Sequence, residues 1–406
     1  MSVASGKTAS PAQPSPIKVP EPDLTPQELI RRAHELRPQL RARQPETEAA
    51  GNISAELNAQ LIKGGFYRVV QPRLFGGYEF DLPTYVRVMM AIARGCPDTG
   101  WVLALTSGHV YQLASFPIEG QREVYGADGE FRAPEVTAPP GTAVPSPGGY
   151  RLSGAWDYGS GSALGTHIVV GARLADSGQM IFAIVDRDQY TIETNWHVFG
   201  MQGTGSNRIV IPDTFVPESR VRPMARPLPD RHYYSNPLYF GPFRTYVISE
   251  SAAVVVGAAE GALDCYEEAF RNRKVMFPTN AYRYELPEFQ HNFGRCRALI
   301  DTASAALLHV AEQYMQVGRA IYLGEPVEPH TERRLCLVQQ QAIHLAWEAV
   351  DIMFRTAGTS SAKKDSMLGR YWRDISVMRG HLAHQSDSAA INFGRAYFGL
   401  ETSGPN

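Results

Sequence analysis

The sequence predicts a mainly α-helical protein with a β insertion in its middle, and three observations carry that expectation. Apolar residues recur at three-to-four spacing up to about residue 130 and again from Ser249 onward. Between those stretches lie short β-branched runs separated by Gly, Pro, Asp and Ser, the texture of a sheet or barrel. The length, 406 residues with 44% hydrophobic content, leaves room for two or three domains and a large core.

Residues 1–24 are rich in Ser, Ala and Pro, lack the apolar segment of a secretory signal, and read as a disordered leader. Order is expected from Thr25, which can cap a helix with Pro26 in its first turn and Glu28 completing a capping box; this helix is expected to end at Leu36. Residues 54–63, 82–94 and 99–113 continue an all-helical N-terminal domain over 25–130, with breaks at Gly64-Gly65 and Gly95-Cys96-Pro97-Asp98. A middle β domain over 131–235 contains strand-like runs at 166–172, 180–185 and 208–211, expected to pair antiparallel in a barrel or sandwich. Residues 236–406 hold four long amphipathic segments, 252–271, 289–318, 331–355 and 372–398, as in a four-helix bundle. The last would set His381 and His384 three residues apart on one helical face, where two imidazoles could transfer protons near neutral pH.

Composition narrows the function. A formal charge of -2, without a long basic run or aromatic-basic interleaving, argues against a nucleic-acid partner. The longest apolar runs, such as 252–259, are too short for a bilayer, so no membrane association is expected. Cys96, Cys265, Cys296 and Cys336 form no CxxC pair; they suggest a reducing cytoplasm and neither a disulfide framework nor a zinc site. Two histidines and Asp387 fall short of a transition-metal ligand set, so no metal is expected.

Four segments occur in the order found in one protein family. Cys96-Pro97-Asp98-Thr99-Gly100-Trp101-Val102 is followed by His109, and Gly154-Ala155-Trp156-Asp157-Tyr158-Gly159-Ser160-Gly161-Ser162 lies in the β region. Trp196-His197-Val198-Phe199-Gly200-Met201-Gln202-Gly203-Thr204-Gly205-Ser206 precedes Asp213-Thr214-Phe215-Val216-Pro217, and Leu368-Gly369-Arg370-Tyr371-Trp372-Arg373-Asp374 opens the last helical segment. Over residues 25–400 the chain resembles the acyl-CoA dehydrogenase superfamily, an N-terminal α domain, a middle β domain and a C-terminal four-helix bundle. Within it the motifs resemble the two-component flavin-dependent monooxygenases, including 4-hydroxyphenylacetate 3-hydroxylase oxygenase components and dibenzothiophene monooxygenase. Acyl-CoA dehydrogenases carry a glutamate base about nine residues beyond the Arg of the Arg-Asp motif. This chain has Leu382 there, flanked by His381 and His384, which disfavours proton removal from an acyl-CoA thioester.

The resemblance implies an oxygenase component that takes reduced FMN or FAD from a separate NAD(P)H:flavin reductase. It would react with O2 through a C4a-hydroperoxyflavin and hydroxylate a small phenolic or indolic substrate. An N- or S-oxygenase, an acyl-CoA dehydrogenase and a helical scaffold that has lost its flavin are the alternatives. Catalytic roles fall on His384 as phenol-deprotonating base, His109 as substrate anchor or proton donor, and Ser160 as the hydroxyl at flavin N5; His381 could replace His384 and the histidine roles could exchange. Trp156 and Tyr158 would pack along the isoalloxazine, with Gly161, Thr204 and Ser206 bordering it. Arg273 and Lys274, ahead of Phe277, resemble the region by which a neighbouring subunit of a homotetramer grips the flavin phosphate. Tyr111, His381 and Phe393 join His109 as expected substrate-site residues.

Overall fold

Thr25 starts the first helix, its side chain accepting the Glu28 N–H at 3.2 Å with Pro26 in the first turn. Helix α1 (Pro26–Ala50) continues well beyond Leu36, through Pro38 and Pro45, to a left-handed Gly51 cap. Each proline removes one backbone donor. Tertiary contacts hold the helix across them: Leu29, Ala33 and Leu40 are buried, and the Gln44 amide donates to the Gly95 carbonyl at 2.7 Å. The computed structural model describes residues 16–277 and 280–402, with the backbone alone at 139–140. Order precedes Thr25, since the Ile17 N–H donates to the Leu74 carbonyl at 3.0 Å. The first fifteen residues of the expected leader lie outside the described residues.

The N-terminal helices continue as α2 (Ala55–Lys63), α3 (Leu82–Gly95), α4 (Pro97–Gly108), α5 (Val110–Leu113) and α6 (Ile118–Tyr125). The segment expected to be one helix over 99–113 breaks at His109, between α4 and α5. Seven strands follow: β1 (Glu135–Ser146), β2 (Gly149–Gly159), β3 (His167–Leu174), β4 (Met180–Asp186), β5 (Thr191–Glu193), β6 (Asn207–Pro217) and β7 (Val221–Pro223). They form one sheet in the order β5-β6-β2-β1-β3-β4-β7. The antiparallel expectation needs one correction, because β1 and β3 run parallel: β2 returns as a hairpin on one side of β1 and β3 is laid on the other. Val136, Leu152, Trp156, Ile168, Val170 and Ile209 form the core of this sheet, separate from the main helical core.

The bundle consists of α7 (Phe243–Asn272), α8 (Pro287–Leu323), α9 (Thr331–Thr356), α10 (Met367–Met378) and α11 (Ser386–Tyr397). By length and composition α7 could cross a membrane, but 83% of its most apolar window is buried inside the protein, as in a central core helix. Glycines let α3 approach it closely: a Cβ at Gly257 would lie 2.3 Å from the Met90 carbonyl oxygen, and one at Gly261 2.4 Å from that of Arg94. The last helix expected over 372–398 is two helices. Helix α10 stops at Met378, a 3-10 turn spans Leu382–His384, and α11 follows, so the two histidines do not share a continuous helical face.

Candidate functional site

At the end of β2 the backbone takes two left-handed residues, Tyr158 at φ 70° and Gly161 at φ 73°. The turn throws Tyr158 outward, 70% exposed with its ring edge-on to Trp196, and carries Ser160 inward to 6% exposure. Gly161 is required twice, by its φ and because a Cβ there would lie 2.7 Å from Val102 Cγ1 on α4.

Ser160 heads a chain of hydroxyls. Its Oγ is 2.7 Å from Ser206 Oγ, which is 2.7 Å from Thr204 Oγ1, and Thr204 donates to the Met201 carbonyl at 2.8 Å. A carbonyl can only accept. The Thr204 proton is therefore committed to Met201, Ser206 donates to Thr204, and Ser160 donates to Ser206. Trp101 Nε1–H donates to Ser160 at 3.3 Å, which leaves Ser160 one lone pair for a further N–H or O–H.

The loop bearing Thr204 and Ser206 is anchored by two buried carboxyls. Asp374 accepts the Met201 N–H at 2.6 Å, with Met201 held at φ 56°. A Cβ at Gly203 would lie 3.0 Å from Asp98 Cγ, so the loop rests on Asp98. Burial, and next the Asp374 charge, hold Asp98 well above the carboxylate range; burial pushes Asp374 up to about 7. Arg373 and Asp374 diverge: the Arg373 guanidinium pairs with Glu48 on α1 at 2.9 Å and donates to the Phe199 carbonyl.

His384 is 3% exposed. Its Nδ1 lies 2.8 Å from the Met378 carbonyl, so Nδ1 carries the proton and Nε2 presents its lone pair, toward Ser251 Oγ at 3.0 Å. Burial, and then the neighbouring His381, lower its pKa to about 3. His381 is the opposite tautomer: Nδ1 accepts the Ala383 N–H at 3.2 Å, so in its neutral form Nε2 bears the proton. Burial lowers its pKa to about 4. The two rings are 5.5 Å apart, and Trp101 meets both edge-on, with centroids 5.1 Å from His381 and 6.4 Å from His384. Trp101 thus joins the hydroxyl chain to the histidine pair. His109 Nδ1 lies 2.8 Å from the Ala133 carbonyl, which leaves Nε2 as its acceptor.

Other expected residues lie elsewhere. Trp156 is fully buried in the sheet core with Nε1 donating to the Gly171 carbonyl at 2.9 Å, so its ring has no free face for a flavin. Tyr111 is also fully buried, its hydroxyl donating to the Gly241 carbonyl and its ring stacked 4.1 Å from Tyr246. Phe393 is half-buried on α11 against Tyr397. Arg273 and Lys274 follow the C-terminus of α7; at 1.5 Å per residue they are about 33 Å from Ser251. There Arg273 bonds Ser360 and the Lys274 ammonium sits 5.0 Å from the centre of the Tyr282 ring. Trp101 and Ser251 carry no role legible from sequence alone, although Trp101 belongs to a matched motif and Ser251 closes the polar triplet Ser249-Glu250-Ser251 just before an Ala-Val run.

The cradle suits a flavin. The unused lone pair of buried Ser160 would accept from an N–H on the edge of a planar heteroaromatic ring, and Tyr158 on the same turn exposes its ring to solvent. Among the described residues no three His, Cys, Asp or Glu side chains gather as a metal site.

The family models for the acyl-CoA dehydrogenase N-terminal and C-terminal domains match residues 27–128 and 249–386. The chain is 30% identical over 379 residues to the flavin-dependent monooxygenase oxygenase subunit HsaA of Rhodococcus jostii, covering 91% of this chain and 98% of that protein. It is 29% identical to the FADH(2)-dependent resorcinol hydroxylase oxygenase component of a Rhizobium species, covering 88% and 91%. Among solved structures, XiaF from a Streptomyces species in complex with FADH2 and glycerol superposes with a TM-score of 0.86 at 26% identity, covering 94% of this chain and 97% of that one.

Proposed function

The chain belongs to the oxygenase components of the flavin-dependent monooxygenases built on the acyl-CoA dehydrogenase fold, and within that family we propose that Ser160 positions the reduced flavin while His384 takes the substrate proton. The enzyme uses reduced flavin and O2 to hydroxylate an aromatic compound. Bound reduced flavin supplies the activation of O2 and the transfer of one oxygen atom. The protein's part is placement and proton handling. The observation that carries this reading is Trp101, which donates to Ser160 and touches both inner histidines, so the flavin-facing hydroxyl and the base flank one side chain.

The spare lone pair of Ser160 would accept the N5–H of a reduced flavin, which Gly161, Thr204, Ser206 and exposed Tyr158 would border. His384 Nε2 is the base, since in neutral His381 the corresponding nitrogen carries a proton. Ser251 can release it by turning its hydroxyl to the Ile248 carbonyl at 3.2 Å. A phenol or indole that donates to Nε2 becomes a stronger nucleophile as its proton shifts, and burial strengthens the attraction between the forming imidazolium and phenolate. His109 Nε2 anchors a second polar point on the substrate, and His381 Nε2–H serves as a donor. Leu382, at the offset of an acyl-CoA dehydrogenase base, is 82% exposed and carries no acid.

Arg273 and Lys274, about 33 Å along α7 from Ser251, would grip the phosphate of a flavin held by another copy, in a homotetramer with sites completed across subunits. A separate NAD(P)H:flavin reductase supplies the cofactor, and four free, buried cysteines suit a reducing cytoplasm. The test mixes photoreduced FMN or FAD with purified protein, O2 and phenols, following flavin absorbance, product and H2O2. Slower flavin reoxidation with hydroxylated product is expected. A protein that neither binds reduced flavin nor alters its reoxidation refutes the assignment.

A further inference from the structure

Glu250 occupies a place between the two histidine sites that the proposed chemistry does not use. On α7 it precedes Ser251, the partner of His384. Its carboxyl rests on Gly108, the residue before His109: a Cβ there would lie 1.8 Å from Glu250 Oε1, so glycine makes the room. Glu250 is fully buried, and neither carboxyl oxygen has a hydrogen-bond partner. Nearby hydroxyls are engaged elsewhere, Tyr85 donating to the Ala104 carbonyl at 2.7 Å and Tyr246 to that of Gly108 at 3.0 Å. Glu135, at the start of β1 and close enough for its charge to act on Glu250, has an unpartnered Oε2 of its own; its Oε1 accepts from Gln112 Nε2 at 3.3 Å. Buried polar atoms are almost always paired, and an orphaned carboxyl in a dry interior disfavours the folded state.

We propose that Glu250 is a specificity-determining residue of the substrate site, where its carboxylic acid receives a neutral hydroxyl substituent on the aromatic ring beyond the one activated by His384. This assignment rests on the oxygenase reading and gives its substrate class a second recognition point. Burial, with the Glu135 charge next, holds Glu250 well above the carboxylate range, so it stands as a neutral acid. A neutral carboxyl must give one hydrogen bond and accept another. A hydroxyl does both at once. An anionic substituent would meet Glu135, and an ammonium would require Glu250 to ionise in a site with no exposure.

The experiment titrates the folded full-length protein by calorimetry with phenol, the three dihydroxybenzenes, 4-hydroxybenzoate and tyramine, for wild type, Glu250→Gln and Glu250→Leu. At least one dihydroxybenzene should bind wild type about 10- to 100-fold tighter than phenol. Glu250→Gln, which keeps a donor and an acceptor, should retain most of that ratio; Glu250→Leu should reduce it to within about threefold. An unchanged ratio in Glu250→Leu overturns the assignment. So does a wild type that prefers 4-hydroxybenzoate or tyramine, a comparison that needs no variant to fold. Reoxidation of protein-bound reduced flavin without substrate is measured separately: if it fails, the oxygenase reading falls and the Glu250 assignment with it, whereas normal flavin reoxidation with a failed phenol series shows Glu250 alone to be misassigned.

Discussion

Replacing His384 with Asn should uncouple oxygen consumption from hydroxylation. The imidazole does three things: Nδ1–H holds the Met378 carbonyl at 2.8 Å, the ring edges meet Trp101 and Trp347, and Nε2 offers a lone pair in a buried site. An Asn amide can keep a donor for Met378, but it cannot take a proton. Loss of a positioned base lowers product formation by about 100- to 10,000-fold, or about 2.7–5.5 kcal/mol of barrier. Ser160, Ser206 and Thr204 are bonded independently of His384, so the variant should still bind reduced flavin and consume O2, releasing it as H2O2. The pH profile gives a second readout. Because burial lowers the His384 pKa to about 3, the wild type should show no acid limb near 6.5 and stay flat from about pH 6 to 9. The variant should gain about tenfold per pH unit toward the phenol's own pKa of about 10, as solution phenolate replaces the missing base. Stopped-flow flavin absorbance with product and H2O2 quantified at each pH checks both. A variant that keeps the wild-type ratio of product to H2O2, or a wild type with a limb at 6.5, refutes the reasoning.

Ser160→Ala removes the acceptor offered to flavin N5–H and should weaken reduced-flavin binding by about tenfold, measured by anaerobic titration. Arg273→Ala should weaken it comparably while leaving thermal unfolding almost unchanged, since Arg273 is exposed; identical flavin affinity would remove the case for a phosphate grip across subunits. His384 also shapes acid stability. Its folded pKa of about 3 lies below the unfolded value of about 6.5, so the unfolded chain binds more protons between them and stability falls as pH drops through that window. This should contribute about 1.4 kcal/mol per pH unit, or about 2 kcal/mol from pH 6.5 to 5, and urea unfolding of His384→Asn should lack that part of the slope.

Apolar periodicity made the helices legible but not all their bounds: the expected end of α1 at Leu36 misses its continuation through Pro38 and Pro45, which depends on burial of Leu40 and on the Gln44 bond to Gly95. The turn that carries Ser160 was legible as a motif but not as geometry. Trp156 and Tyr158 are two apart in a strand and would share a face. The left-handed Tyr158 and the irregular pairing between Trp156 and Gly159 break that alternation, so Trp156 enters the sheet core while Tyr158 faces solvent. No local pattern announces a bulge. Ser251 and Glu250 were hidden by the apolar run around them, since their meaning depends on what α4 and the segment after α10 bring alongside. Arg273 could not be placed from one chain, because a single copy leaves it about 33 Å along α7 from Ser251.

The histidine pair shows how a helix end can set chemistry. Had α10 continued, the Met378 carbonyl would have accepted the backbone N–H of residue 382, and His381 and His384 would have stood on adjacent turns with no tautomer imposed. The helix stops instead. The Met378 carbonyl accepts the His381 N–H at 3.0 Å and keeps a lone pair for His384 Nδ1–H, which fixes the proton on that nitrogen and frees Nε2. The same turn sends Leu382 to solvent and folds His381 back so that its Nδ1 accepts from Ala383, making its neutral form a donor. One carbonyl at a helix C-terminus, released from its i+4 backbone partner, therefore distinguishes two imidazoles three residues apart. It assigns proton acceptance to His384 on bonding grounds, and a rescue of His384→Asn by His381 would require that turn to re-form.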